Sequence, residues 1–194
     1  MQRKTALTPE LLVVAYSRGW FPMGDEKERI TWHDPDPRAV FPLGIVRPNA
    51  RFRRFLRNSG LHCTIDTAFE EVIRRCAALH GETWITEEMI GAYTELHCNG
   101  HAHSVETWVG DEPVGGIYGV AIGAAFFGES MFSLLSNAGK AAFYRLVEHL
   151  REKGFTLFDS QYLNGHTASL GAIEVPRSIF KTMLEGALSR PSNF

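Results

Sequence analysis

The chain has 194 residues, 44% of them hydrophobic and 22% charged, and a formal net charge of −2. That length holds one large domain or a domain with a small appendage, and the composition excludes a disordered chain. The near-balanced charge excludes a generic nucleic-acid coat but leaves room for a local basic patch, and Cys63, Cys76 and Cys98 form no C-x-x-C pair and are too scattered for a disulfide framework.

The opening "MQRKTALTPELLVV" has no long apolar core with a small-residue cleavage site, and no run approaches the roughly 18 apolar residues of a membrane span. A cytoplasmic protein is expected. "TPELLVVAYSRG" reads as a helix, with Thr8 as cap, Pro9 in its first position and Gly19 at its end. Prolines 22, 35, 37 and 42 then make a stiff, irregular connection around one short strand near "RITWH". "NARFRRFLRNSG" reads as a basic helix capped by Asn49, with Phe52, Phe55 and Leu56 on its buried face. A boundary near Gly60 divides a small N-terminal domain, residues 1–60, from a larger unit, residues 61–194.

The larger unit alternates. "LHCTI" is a strand, and Asp66 is expected to cap the helix "TAFEEVIRRCAALH". "TEEMIGAYTELHC" is a second helix, with Met89, Ile90, Tyr93, Leu96 and His97 at helical spacing. "AHSVETWV", a "GDEP" turn and "VGGIYGVAIGAAFFGES" read as consecutive antiparallel strands. The helix "NAGKAAFYRLVEHLREKG", the strand "FTLFDSQ" and short helices near "GHTASLG" and "PRSIFKTML" complete a mixed α/β (α+β) arrangement.

Several residues carry candidate chemistry. Glu129 stands among Phe126, Phe127, Met131 and Phe132, where a carboxylate is costly to bury without a partner. Ser130 is a poor nucleophile, because Phe132 occupies the final glycine position of G-x-S-x-G. Asp159 and Gln161 are two apart at the C-terminal end of a strand, where α/β sheets place their ligands. His97, Cys98, His101 and His103 lie close in sequence, but with one cysteine they read as satisfied histidines, so no metal is expected. Arg51, Arg53, Arg54 and Arg57, extended by Arg47, form a basic stretch able to bind phosphates.

Taken together, "AYSRGWFPM", "WHDPDPRAVFPL", "ETWIT", "AYTELHCNGHAHSVE", "GGIYGVAIG", "FFGESMFS", "FDSQ" and "HTASLGA" closely resemble the bacterial leucyl/phenylalanyl-tRNA–protein transferases. The resemblance implies an acetyltransferase-like C-terminal domain and transfer of Leu or Phe, with tolerance of Met, from charged tRNA to the N-terminal Arg or Lys of acceptor proteins, marking them for degradation. It implies aminoacyl-tRNA and basic-N-terminus proteins as partners and no cofactor; a monomer away from membranes is expected. Carried over by motif, Asp159 and Gln161 fall on the catalytic pair, and Glu129, Trp84, Asn164 and Trp32 on positions around the aminoacyl-adenosine end. The side-chain pocket is expected from Ile117, Phe126, Met131, Phe143, Leu146, Leu150 and Phe158. Leu134 stands where the family commonly has arginine, and Gly139 where it has serine. The alternatives are an acyl-coenzyme A-dependent N-acyltransferase, for which "SLLSNAGK" is a poor pyrophosphate loop, and a non-catalytic RNA-binding relative.

Overall fold

The capping residues read from the sequence start two of the helices. In the computed structural model, which describes residues 6–25, 27, 29–79 and 84–194, Thr8 Oγ1 accepts from Leu11 N at 3.3 Å to start α1 (Pro9–Ser17). Asn49 Oδ1 accepts from Phe52 N at 2.8 Å to start α2 (Ala50–Asn58). Residues 1–5, read for a leader, and His80, read as a helix end, lie outside the described residues.

Between these helices the chain is more regular than its prolines imply. β1 (Phe21–Gly24) pairs antiparallel with β2 (Ile30–His33), forming a two-stranded sheet in which Pro22 sits opposite Trp32. A two-stranded ribbon has only edge strands, where a missing N–H is tolerated. Gly24 N donates to Trp84 O at 2.9 Å, and a Cβ at Gly24 would lie 2.6 Å from that oxygen. Glycine is what lets the ribbon lie against the backbone of Trp84.

The remaining strands make one mixed sheet: β4 (His62–Ile65), β5 (Ala102–Val109), β6 (Glu112–Ile122), β7 (Ala125–Ser133), β8 (Leu157–Gln161), β3 (Arg38–Val40) and β9 (Ile173–Val175), in that spatial order. Among the described residues only β7 and β8 run parallel, joined by the crossover helix α5 (Ala138–Glu152). The mixed α/β class is therefore the one expected. β3, on the N-terminal side of residue 60, is inserted between β8 and β9.

Strand β7 alternates between two cores, as a period of two requires. Phe127 packs with Tyr16, Tyr93 and Phe180, from α1, α4 (Glu87–Cys98) and α7 (Arg177–Leu188); α3 (Phe69–Leu79) adds Val72 and Ile73. Phe126 packs with Phe143, Leu146, Leu150 and Phe158, under α5. The helix near "PRSIFKTML" is longer than expected, and β9 was not expected at all. Among the described residues no helix is long and apolar enough to cross a membrane.

Asp66 does not cap α3. It adopts φ +55°, and its Oδ1 accepts from Ser104 N at 2.8 Å while Oδ2 lies 2.7 Å from His103 Nδ1. Pairing of Ile65 with Val105 brings it beside β5 rather than over the helix. The helix entrance is served instead by fully buried Glu106, whose Oε1 accepts from Ala68 N at 3.4 Å and whose Oε2 accepts from Thr64 Oγ1 at 2.6 Å.

Candidate active site

The oddly placed carboxylate owes its direction to a β-bulge. Across β6 and β7, Tyr118 faces Ser130 and Gly119 faces Gly128, leaving Glu129 as the extra residue. Bulges kink a strand locally and re-aim a side chain. Glu129 Oε1 accepts from Tyr16 Oη at 2.7 Å and from Gln161 Nε2 at 3.2 Å, and Oε2 accepts from Tyr93 Oη at 3.3 Å. The two tyrosine hydroxyls also touch each other. Burial pushes the Glu129 carboxyl up to about 8; the charge of Asp159 adds to this, while the tyrosine hydrogen bonds and the charge of Arg38 oppose it. Burial, then the nearby Glu129, also raises Tyr16 and Tyr93 well above the ordinary phenol range, so both remain donors.

A cavity of about 640 Å³ opens beside this carboxylate. Parallel pairing of β7 with β8 ends at Phe127 and Asp159, and Gly128, Glu129, Ser160 and Gln161, just beyond, line the opening. A Cβ at Gly128 would come within 2.8 Å of the Phe158 ring. Phe41, Ile117, Met131, Phe143, Phe158 and Leu170 form the apolar wall, with Phe41 at 4.7 Å from Phe143 and 4.8 Å from Phe158 between ring centroids. Trp84, Tyr162, Asn164 and His166 add more polar lining. Asn164 also caps α6 (Gly165–Leu170), accepting from Thr167 N at 2.9 Å, which leaves its amide N–H groups free of that bond.

Asp159 is fully buried behind this surface. Its Oδ1 accepts from Arg38 Nε at 2.8 Å and from Gln161 N at 3.1 Å, and its Oδ2 accepts from Arg38 Nη2 at 2.6 Å. Burial alone would lower the Arg38 guanidinium, but the charge and hydrogen bonds of Asp159 more than reverse that, so its pKa is raised. Gln161 has φ +56°, a left-handed conformation that costs a non-glycine residue about 1–2 kcal/mol.

The structure thus brings Glu129, Gln161, Trp84, Asn164, Ile117, Met131, Phe143 and Phe158 to one cavity. Phe126, Leu146 and Leu150 lie behind its wall in the buried core, Phe126 edge-on to Phe158 at 5.4 Å. Trp32 is half-buried on β2 and packs against the other core. Arg51, Arg53, Arg54 and Arg57 are exposed on α2, whose Phe52 stacks near Tyr144 of α5 at 5.3 Å. Sequence reading missed Tyr16, Arg38, Phe41 and Leu170. All four lie inside the quoted motifs, but nothing local marked Phe41 and Leu170 as lining the cavity, or Tyr16 and Arg38 as partners of the site's carboxylates.

Among the described residues, Asp66, His97 and His103 form a group with metal-ligand spacing, and Cys98 and His101 are not part of it. His97 Nδ1 lies 2.7 Å from Ala102 O and must donate to it, and His103 Nδ1 lies 2.7 Å from Asp66 Oδ2. These contacts tie the loop at Asp66 and the end of α4 to the start of β5.

An apolar recess at the parting of two parallel strands, lined also by the Glu129 carboxylate and the Gln161 and Asn164 amides, belongs to a mixed α/β protein with room for an apolar group beside a hydrogen-bonding amine or hydroxyl. The leucyl/phenylalanyl-tRNA protein transferase family matches residues 40–185, and its N-terminal domain matches residues 5–36. Proteins named leucyl/phenylalanyl-tRNA–protein transferase are similar: that of Gloeobacter violaceus is 48% identical over 189 residues, covering 97% of each chain. That of Chlorobium limicola is 46% identical over 187 residues, covering 94% of this chain and 96% of its own. That of Shewanella denitrificans is 50% identical over 179 residues, covering 92% and 77%. The chain belongs to the leucyl/phenylalanyl-tRNA–protein transferase family.

Proposed function

We propose that the protein transfers leucine or phenylalanine, and to a lesser degree methionine, from the 3′ end of charged tRNA to the N-terminal Arg or Lys of acceptor proteins in the cytoplasm. The observation that carries this reading is the aromatic-walled cavity with Gln161 and Glu129 at its rim, in a chain of this family. The aminoacyl ester is already activated, so alignment of two substrates supplies most of what is needed, about 7–11 kcal/mol of the barrier. A free α-amine has a pKa of about 8 and is partly neutral at physiological pH.

Because Gln161 Nε2 donates to Glu129, its Oε1 is turned to accept from the attacking amine. The amine nitrogen bonds to the ester carbon, the bond from that carbon to the ribose oxygen breaks, and the ammonium proton passes to the leaving oxygen. No acyl-enzyme forms. Glu106 and Asp159 are fully buried and engaged, so neither is open to a basic acceptor. Glu129 is the acidic side chain on the cavity wall among the described residues.

The test is transfer of radiolabelled leucine from charged tRNA to peptides beginning with Arg, Lys or Asp. Label is expected on the first two; none on any peptide, or transfer of acetyl from acetyl-coenzyme A instead, sinks the proposal. The exposed α2 arginines are proposed to hold the tRNA backbone. Arg53→Glu with Arg57→Glu should weaken tRNA binding at least about tenfold and flatten its salt dependence by about one to two units of log–log slope, as filter binding between 50 and 200 mM salt reads it.

A further inference from the structure

We propose that Arg38 is the positioning residue of this site: its guanidinium fixes the Asp159 carboxylate, which in turn holds the Gln161 backbone so that the amide faces the cavity. The role rests on the transfer function proposed above.

Asp159 is fully buried, and its oxygens are occupied by Arg38 and by Gln161 N. It therefore reaches a bound substrate only through a neighbour. That neighbour is Gln161, at φ +56°. A carboxylate accepting from the N–H two residues on closes an Asx turn, the local bond that supports such a conformation. The carboxylate's own plane is set by Arg38, whose planar fork matches its two oxygens.

The fork is itself held against rotation. Nη1 donates to Gly19 O at 2.9 Å, and the central carbon lies 4.8 Å from the Phe21 ring and 4.4 Å from the Phe180 ring. The turn after α1, strand β1 and helix α7 thus converge on one guanidinium. Gln161 is gripped at both ends, its backbone through Arg38 and Asp159 and its Nε2 by Glu129.

Arg38→Lys keeps the charge and removes the fork. In steady-state transfer from Leu-tRNA to an Arg-initiated peptide, kcat is expected to fall about 100-fold, the scale of a small misplacement at a reacting centre, with KM for Leu-tRNA within about threefold. Hydrogen exchange at the Gln161 amide, measured on the free protein, should quicken at least about tenfold while the β5–β6 hairpin is unchanged. In Arg38→Ala, added ethylguanidinium should restore kcat and ethylammonium should not. Wild-type kcat in Arg38→Lys, a loss confined to KM, an unaltered Gln161 amide, or equal rescue by ethylammonium would overturn the proposal. The exchange measurement needs no tRNA, so it judges Arg38 even if the wild-type protein transfers nothing, a result that would sink the functional reading instead.

Discussion

Unfolding stability of the wild-type protein should fall as pH rises from 5 to 9, more steeply than in Glu129→Gln. The folded carboxyl titrates at about 8, against about 4.3 in an unfolded chain. Between those values the folded state holds a proton that the unfolded state has released. The proton count then favours folding at low pH, and that contribution is lost as pH climbs through the window. Full conversion of the shift overstates the effect at a half-buried group, so the difference between the two proteins should change by about 2–4 kcal/mol across the range. Urea unfolding at pH 5, 6, 7 and 8.5 reads it, and histidine titrations cancel in the comparison. Parallel curves for the two proteins would mean that the bulge does not hold Glu129 against water. The same reasoning predicts that a cation brought to the rim displaces the proton, so acceptor binding near neutral pH should release a fraction of a proton to the buffer.

Asp159→Ala should be more damaging still. It leaves Arg38 buried between two aromatic rings without its bidentate partner, the nearest remaining carboxylate oxygen being Asp34 Oδ1 at 3.8 Å. Breaking a buried pair on one side typically costs about 3–5 kcal/mol, which in a chain of this size lowers the melting temperature by about 10 °C or more. Removing both charges together is a different matter, because neither ion is then left unpaired. Arg38→Met with Asp159→Leu should regain most of the stability while transfer stays lost, since no acceptor remains for the Gln161 N–H. Calorimetric melts on the three proteins check the first half and the leucine-transfer assay the second. A double variant as unstable as Asp159→Ala would show that shape, rather than charge pairing, governs this part of the core.

Much of this was legible in the chain. α1 and α2 announce themselves by Thr8, Pro9 and Asn49, whose caps are local bonds. The long strands show as apolar runs bounded by turns, and α5 by a stripe with a period of about four. β1, β3 and β9 were hidden for a shared reason. Each has three or four residues, prolines lie in or close to them, and the partners of β3 lie more than 100 residues away in β8 and β9. Periodicity needs length, and a short strand defined by its partners has none of its own. The pair Arg38 and Asp159 shows the same limit, its members being 121 positions apart. Phe126, Leu146 and Leu150 are expected from the sequence as walls of the side-chain pocket. Spacing alone does not distinguish the skin of a cavity from the layer beneath it, and these belong to the layer beneath. Glu129 was conspicuous as a charge among aromatics, but its direction depends on one extra residue in β7, which register alone reveals.

The cavity begins where β7 and β8 cease to be paired, after Phe127 and Asp159. Its aperture is therefore a fork in woven backbone. Hydrogen-bonded strands resist bending far more than surface loops do, so a side chain held there, as proposed above, would meet a caliper of fixed gauge. Selectivity built this way depends on how far the two strands diverge per residue. A relative could be retuned for a wider or narrower guest by shifting the point of divergence a single step along the ladder, leaving every wall residue as it is.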